Sequence, residues 1–324
     1  MPKKYMEVHR SSLRVRIGTM KVLALARYVV SGSSKEMVFI WKAMRPADWI
    51  KNVFVFAPLF FSGQATQVDK LQLTVLVFLA FNAMSSATYL FNDINDRELD
   101  RVHPQKRFRP IASGALSVRL AGASAITLAI ISLGLVSVSP GVVVFLLAYG
   151  VMNIAYSLWL KHVVIGDVFC IGLGFVFRVL GGGLAIDVTP SSWLILATFL
   201  LSLFLALAKR RHELLVLETT ANTHRPVLEQ YSLKLVDELI SVVTPVTLIT
   251  YLLYTLDAGT IARFHSNLLY VTSIFVVFGI FRYLYLVHRM NLGGSPVQLL
   301  MQDVPLSLAI VGWVVTFFLI VYVA

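Results

Sequence analysis

Three aspartates with helical spacing are the residues of this chain most suited to chemistry. Asp93, Asp96 and Asp100 follow an apolar run and, with Asn92, form the pattern N-D-x-x-D-x-x-x-D. If the helix predicted from that run continues, the three carboxylates share one face. Such carboxylates suit Mg²⁺, which binds through one or two carboxylates together with substrate phosphates. We predict a site for a magnesium-bound diphosphate; the alternative is a solvated acidic helix end with pairs such as Asp93 with Arg97.

A basic stretch directly follows the acidic one. In "HPQKRFRP", Lys106, Arg107 and Arg109 are candidate phosphate contacts, because guanidinium groups bind phosphate oxygens in a bidentate manner. The excess of basic residues in cytoplasmic loops of membrane proteins is an alternative explanation for each of them. Lys51 is a further catalytic candidate. Further candidate substrate contacts are Asn52, Asn92, Tyr156, Lys161, Lys209, Arg210 and Arg211.

Two charged residues interrupt one apolar run. Asp167 and Arg178 are eleven residues apart in "GDVFCIGLGFVFR", so a helix would place them on nearly the same side, about 16 Å apart along its axis. Charged residues inside membrane helices face the bundle interior and mark sites or ion pairs. We predict a catalytic role for Asp167, orienting a substrate hydroxyl or a basic residue, and a substrate contact for Arg178. An internal structural ion pair is the alternative.

The elements that must position these residues are membrane helices. Of 324 residues, 57% are hydrophobic and 14% charged, whereas soluble domains carry about 25% charged residues. Apolar runs near the length of a membrane span recur, which predicts an all-α integral membrane protein and excludes a β-barrel. Nine transmembrane helices are predicted, at residues 46–62, 71–92, 118–138, 140–160, 164–186, 191–208, 237–257, 265–287 and 303–323.

Basic residues are distributed asymmetrically between the two sides of the membrane. Residues 1–45 hold ten Lys and Arg, and segments 93–117 and 209–236 hold five each. The positive-inside rule therefore predicts a multi-pass protein of the cell (inner) membrane with a cytoplasmic N-terminus. The net charge of +11 reflects this bias, so no nucleic-acid partner is expected. Residues 1–40 are predicted to be a basic cytoplasmic segment, either an interfacial helix or a poorly ordered tail.

The chain resembles the UbiA prenyltransferase superfamily over about residues 40–324. The resemblance rests on N-D-x-x-D-x-x-x-D at Asn92–Asp100 and R-P-x-x-S-G at Arg109–Gly114. It implies a transmembrane catalytic domain at 41–324, with nine helices around a central cavity that opens to the cytoplasm. Usual members carry a second D-x-x-x-D motif in a later loop. Here that loop contains no aspartate, and Lys209–Arg211 stand in its place.

In this departure the chain resembles one branch of the superfamily, the decaprenyl-phosphate phosphoribosyltransferases. The chain also resembles this branch in five sequence blocks. They are "RPADWIKN", "NDINDRELDRVHPQKRFRPIASG", "YSLWLKHVVIGDVFCIGLGFVFRVLGGG", "AKRRHEL" and "SPVQLLMQDVPL". The resemblance implies Mg²⁺-dependent transfer of 5-phosphoribose from phosphoribosyl diphosphate to a polyprenyl phosphate such as decaprenyl phosphate. In that branch the product serves synthesis of arabinose donors for cell-wall arabinan.

Two other functions compete with this interpretation. A conventional UbiA prenyltransferase would join a prenyl diphosphate to an aromatic acceptor, but it would use the second aspartate motif that is missing here. A transporter would use Asp167 and Arg178 as a pathway, but the charge is concentrated on one side of the membrane. The sequence is compatible with a homo-oligomer and does not define its size.

Overall fold

The computed structural model describes residues 35–137, 139–219 and 230–323. Most of the predicted basic segment 1–40 lies outside the described residues. The described part of the chain is helical and contains no strand, which confirms the predicted all-α membrane class.

Eight helices among the described residues are long and apolar enough to cross a membrane. In chain order they are α1 (Val68–Asn95), α2 (Val118–Leu135), α3 (Pro140–Leu158), α4 (Gly166–Ala185), α5 (Ser192–Thr219), α6 (Leu233–Leu256), α7 (Ser273–His288) and α8 (Val304–Phe318). A 3₁₀ turn, Leu268–Thr272, precedes α7, and a π-helical turn, Leu319–Val323, extends α8. The short helices after α1 are Arg97–Val102, Lys106–Phe108, Leu160–His162, Ala258–Phe264 and Pro296–Gln302.

The first predicted span, 46–62, has an unusual form. Its first part is a 3₁₀ helix, Pro46–Phe56, and its second part is a short α-helix, Ala57–Phe61. Runs of 3₁₀ helix longer than three or four residues are uncommon and often mark strain or a functional segment. The other eight predicted spans each coincide with a membrane-length helix. The count of nine and the opening of a cavity to the cytoplasm stay predictions.

Close backbone contact fixes the 3₁₀ helix Pro46–Phe56 against α4. A Cβ atom at Gly182 would lie 2.0 Å from the carbonyl oxygen of Val55, so only glycine permits this approach. Val55 is also part of a buried cluster that contains Phe81 of α1 and Tyr149 of α3. The 3₁₀ helix is thus wedged between three spans.

The ends of four helices meet at one end of the bundle, which we call the charged end. Asn95 of α1 donates to the carbonyl of Ser157 in α3 at 3.2 Å. Arg211 of α5 donates to the carbonyl of Val287 in α7 at 3.1 Å. The charged end therefore collects the carboxyl ends of α1, α3, α5 and α7, and with them the predicted site residues of these segments.

Candidate active site

The helix that carries the aspartates is interrupted at the second of them, Asp96. α1 ends at Asn95, Asp96 has φ −90° and ψ 2°, and the helix Arg97–Val102 follows. The prediction of one continuous helix is therefore wrong at Asp96, where ψ leaves the helical range although its N–H still bonds the carbonyl of Asn92 at 2.9 Å. Aspartate favours such breaks because its side chain competes for backbone hydrogen bonds. The bend changes the directions of the three carboxylates.

Arg109 joins the first and third aspartates. Its Nη1 atom lies 3.1 Å from Asp93 Oδ1 and 2.6 Å from Asp100 Oδ2. Both aspartates are buried, at 2% and 3% exposure. Buried carboxylates require paired charge, and the R-P-x-x-S-G segment supplies it here by returning the chain beneath the end of α1.

Arg45 is a second cation at this position. Its Nη2 atom lies 2.5 Å from Asp93 Oδ1, and its guanidinium carbon lies 5.0 Å from the centre of the Tyr89 ring. Arg45 precedes Pro46 and has φ 55° and ψ 63°, which is a strained conformation for a residue with a side chain. From the sequence, Arg45 reads as a basic residue at the boundary of a span, although it begins the block RPADWIKN.

The middle aspartate has its own partner. Lys161 Nζ lies 2.5 Å from Asp96 Oδ1, and Lys161 is buried although it lies on the short helix Leu160–His162. The contact joins the α3–α4 connection to the end of α1, next to the hydrogen bond between Asn95 and Ser157. The three aspartates and the three cations Arg45, Arg109 and Lys161 thus form a charge-balanced cluster.

The residues fit a divalent cation in their chemistry. Within the described ranges, no group of three or more His, Cys, Asp and Glu side chains is arranged to hold a metal ion, and Asp96 is directed towards Lys161. However, Asp93 and Asp100 both reach the same Arg109 nitrogen. Two neighbouring carboxylates are enough to bind Mg²⁺ when phosphates and water complete its coordination. Asn92 is half-buried in the last turns of α1.

Arg178 lies in a buried polar network at the centre of the bundle. It donates to Asn52 Oδ1 at 2.6 Å, to the carbonyl of Gly174 at 2.6 Å and to the Tyr149 hydroxyl at 3.0 Å. Asn52, with 0% exposure, in turn donates to Asn82 Oδ1 at 2.5 Å. Arg178 forms no ion pair with a described carboxylate, so the predicted alternative of an internal ion pair is wrong for it. Arg178 and Asn52 connect α4 to the 3₁₀ helix Pro46–Phe56.

Asp167 belongs to a second buried cluster at the charged end. Its Oδ2 atom lies 2.9 Å from Arg210 Nε, and Arg210 is also paired with Glu213. Asp167 Oδ2 and Arg210 Nε make no aligned hydrogen bond within the described residues, so we regard their proximity as a charge contact. Tyr231 donates to Asp167 Oδ1 at 2.7 Å. Burial and the hydrogen bond to Asp167 raise the pKa of Tyr231, so the phenol stays protonated.

The three consecutive basic residues of α5 do not act as one group. Arg211 pairs with Asp237 at 2.8 Å on the side of α6, while Arg210 is 1% exposed and faces Asp167. Lys209, Arg210 and Arg211 therefore do not form one phosphate-binding group, because neighbouring residues on an α-helix point about 100° apart. Lys209 lies half-buried in the same turn.

The other predicted site residues are at the surface of the charged end or near it. Lys51 pairs with Asp48 at 2.6 Å, and Arg107 is exposed with its guanidinium carbon 4.8 Å from the Phe108 ring centre. Lys106 and Tyr156 are half-buried. Of the predicted residues, the structure unites the three aspartates with Arg109 and Lys161, and it adds Arg45. It places Asn52 and Arg178 in a separate network.

Comparison with known proteins identifies the family and the fold. The UbiA prenyltransferase family profile matches residues 53–302. The chain is 31% identical to decaprenyl-phosphate phosphoribosyltransferase of Mycobacterium tuberculosis over 280 residues, which are 85% of this chain and 91% of that protein. It is 31% identical to the protein of the same name from Corynebacterium glutamicum, covering 87% of this chain and 86% of the relative. A UbiA homologue from Archaeoglobus fulgidus bound to GPP and Mg²⁺ has the same fold, with TM-score 0.65 at 18% identity over 88% of this chain and 100% of that one.

Proposed function

The chain belongs to the UbiA prenyltransferase family, and from that premise we propose that it transfers 5-phosphoribose from phosphoribosyl diphosphate to a polyprenyl phosphate such as decaprenyl phosphate. The products are polyprenyl-phosphoryl-5-phosphoribose and diphosphate. The two relatives at 31% identity, which align over most of both chains, bear a name that describes this reaction.

One observation separates this reaction from conventional prenyl transfer. Near the carboxyl end of α5, the carboxylate of Glu213 is engaged by Arg210, which also faces Asp167. A second metal site for a prenyl diphosphate needs neighbouring carboxylates, and residues 208–232 contain no aspartate. This region instead consists of basic residues with their counter-ions. This composition supports a donor whose diphosphate is bound by the single aspartate motif, Asp93–Asp100.

The reaction requires positioning more than proton transfer. An oxygen of the lipid phosphate attacks C1 of the ribose, the bond from C1 to the diphosphate oxygen breaks, and diphosphate leaves with the bonding electron pair. The nucleophile is already an anion, so no strong general base is needed. The protein must hold two anionic substrates in line, which demands fixed positive charge and orientation.

Asp93 and Asp100, with Asp96 beside them, are the residues that would hold Mg²⁺. When bound, this ion neutralises the charge that develops on the leaving diphosphate. Arg45, Arg109 and Lys161 lie against these carboxylates, and they supply donors for phosphate oxygens.

Residues at a greater distance have supporting roles in this proposal. Asp167 holds Arg210 in position by charge, while Arg178 and Asn52 hold the 3₁₀ helix Pro46–Phe56 in place. The remaining basic candidates for the 5-phosphate and the lipid phosphate are Lys51, Lys106, Arg107, Lys209 and Arg211.

The membrane context completes the proposal. The charged end faces the cytoplasm, as the excess of Lys and Arg in its segments requires, and the lipid phosphate reaches it from the inner leaflet. The product is a lipid-linked pentose for synthesis of cell-envelope glycans such as arabinan.

The test is transfer of label to lipid. Membranes containing the protein are mixed with Mg²⁺, polyprenyl phosphate and phosphoribosyl diphosphate labelled in the ribose, and radioactivity in the lipid extract is measured. We expect label in the extract with the wild type, and a loss of at least about 100-fold with Asp93→Asn. Asp69→Asn is the matched control, since Asp69 is exposed at the other end of α1. A parallel assay supplies a prenyl diphosphate and an aromatic acceptor. Transfer in that assay, with no label from phosphoribosyl diphosphate in the first, would show conventional prenyl transfer instead.

A further inference from the structure

The connection between α3 and α4 contains a strained residue that the proposed chemistry does not use. Ile165, directly before α4, has φ 67° and ψ −39°. A positive φ is a genuine outlier for a β-branched residue. Such a conformation persists only where neighbouring groups hold it. Lys161, which contacts Asp96, lies four residues earlier in the same connection.

A residue that precedes a different helix holds this turn. The backbone N–H of Ile165 donates to the hydroxyl oxygen of Tyr231 at 2.7 Å, and Tyr231 is buried just before α6. The same hydroxyl donates to Asp167 Oδ1 at 2.7 Å. Tyr231 thus uses its hydroxyl both as acceptor and as donor, and it connects the start of α6 to the start of α4.

The strained turn and the lysine are linked by short-range backbone bonds. Val163 donates to the carbonyl of Leu160 at 3.2 Å, and Asp167 donates to the carbonyl of Val163 at 3.1 Å. A displacement at Ile165 is therefore transmitted to the short helix Leu160–His162, which carries Lys161. No other described hydrogen bond is made by the N–H of Ile165.

We propose that Tyr231 is a positioning residue for the donor site: its hydroxyl holds the strained turn at Ile165 and thereby keeps Lys161 against Asp96. This inference rests on the proposed function for its kinetic consequences. Tyr231 does not touch substrate in this account. It acts through the turn at Ile165. Loss of its hydroxyl changes the affinity for phosphoribosyl diphosphate and not the affinity for polyprenyl phosphate.

The kinetic test uses a rescue. Tyr231→Phe removes the hydroxyl, and we expect KM for phosphoribosyl diphosphate to rise about tenfold, while KM for polyprenyl phosphate changes less than about twofold. Ile165→Gly in the Tyr231→Phe background should return the donor KM to within about threefold of wild type, because glycine adopts positive φ without strain. Ile165→Gly alone should leave both KM values near wild type.

The rescue distinguishes two routes. If Tyr231 acts through Asp167 and Arg210 instead, glycine at position 165 restores nothing, and the proposal is overturned. An equal rise of both KM values, or no rise, also overturns it. Tyr251→Phe is the matched control: it removes a buried hydroxyl that contacts Thr272 and Trp313, away from the turn, and should leave the donor KM unchanged.

A second measurement needs no activity. Hydrogen exchange of the peptide covering residues 159–168, followed by mass spectrometry on the protein in detergent, should be faster in Tyr231→Phe than in wild type and unchanged in Tyr251→Phe. Unchanged exchange in Tyr231→Phe contradicts the proposal whatever the enzyme transfers. Faster exchange in a protein whose wild type transfers no phosphoribose leaves the role of Tyr231 in place and refutes the proposed function.

Discussion

Arg45 Nη2 lies 2.5 Å from Asp93 Oδ1, although the two residues are 48 positions apart in the chain. This contact connects the residue before the 3₁₀ helix Pro46–Phe56 to the first carboxylate of the aspartate motif. The backbone of Arg45 is strained at φ 55°, which costs on the order of 1–3 kcal/mol. The ion pair with Asp93 and the contact with Tyr89 offset that cost. We therefore place Arg45 in the site.

Arg45→Lys should lower kcat/KM for phosphoribosyl diphosphate by about 10- to 100-fold. Lysine keeps the charge but lacks the planar fork that binds a carboxylate or phosphate through two donors. Steady-state transfer assays in Mg²⁺ measure the change. Arg119→Lys is the control, because Arg119 is exposed at the same end of the bundle. Equal kcat/KM for Arg45→Lys and wild type would remove Arg45 from the site.

Arg109→Gln should make the protein less stable and more responsive to Mg²⁺. Asp93 and Asp100 lose a shared counter-ion, and breaking a buried ion pair typically costs about 3–5 kcal/mol. A bound cation would replace that charge. In detergent with EDTA, the unfolding temperature of Arg109→Gln should therefore be lower than that of wild type. Adding Mg²⁺ should raise the unfolding temperature of Arg109→Gln by more than it raises that of wild type.

Arg101→Gln provides the control for this experiment, since Arg101 pairs with the exposed Glu98 at 2.8 Å. Exposed pairs contribute about 1 kcal/mol or less, so this variant should resemble wild type with and without Mg²⁺. A Mg²⁺ response of Arg109→Gln no larger than that of wild type would contradict a cation site at Asp93 and Asp100.

Arg178→Lys should destabilise the fold by about 2–4 kcal/mol. An ammonium group cannot reach Asn52, Gly174 and Tyr149 with the geometry of the guanidinium group, so buried acceptors lose their partners. Chemical unfolding in detergent measures the loss, and the exposed Arg263→Lys should show none. Full stability with abolished transfer would instead place Arg178 in contact with substrate.

The stability that Asp303 contributes should depend on pH. Hydrogen bonds from Arg282, at 2.8 and 3.1 Å, and from the N–H of Leu306 lower the pKa of Asp303. A carboxyl whose pKa is lower in the folded state stabilises the protein above its unfolded pKa of about 3.9 and loses this contribution as the pH falls through the folded value. The unfolding temperatures of wild type and Asp303→Asn should therefore converge below about pH 4. A difference that stays constant from about pH 6 to pH 3 would contradict this ion pair.

Much of the fold followed from local sequence patterns. Apolar run length located eight membrane helices, because lipid requires a helix of nearly fixed length. The segment 46–62 was harder, since its 3₁₀ form depends on contacts such as that of Gly182 with Val55. Such an approach between separate parts of the chain leaves no periodic signal in either of them.

The predicted site residues that meet in the structure are close in sequence, except Lys161, which lies 65 positions from its partner Asp96. Asp93, Asp100 and Arg109 lie within 16 positions of one another, and they meet in the structure. Arg45 and Tyr231 reach their partners across long separations, 48 residues to Asp93 and 66 to Ile165. Basic residues near a span end are expected for orientation alone, so composition could not separate Arg45 from its neighbours.

The choice of donor by the purified protein tests the central claim most directly. The protein in detergent is given Mg²⁺, polyprenyl phosphate, an aromatic acceptor, and equal amounts of phosphoribosyl diphosphate and a prenyl diphosphate, and lipid products are identified by mass spectrometry. We predict one product, polyprenyl phosphate carrying a 5-phosphoribosyl group, which disappears with Asp93→Asn and persists with Asp69→Asn. A prenylated acceptor as the product, with polyprenyl phosphate unchanged, would contradict the account.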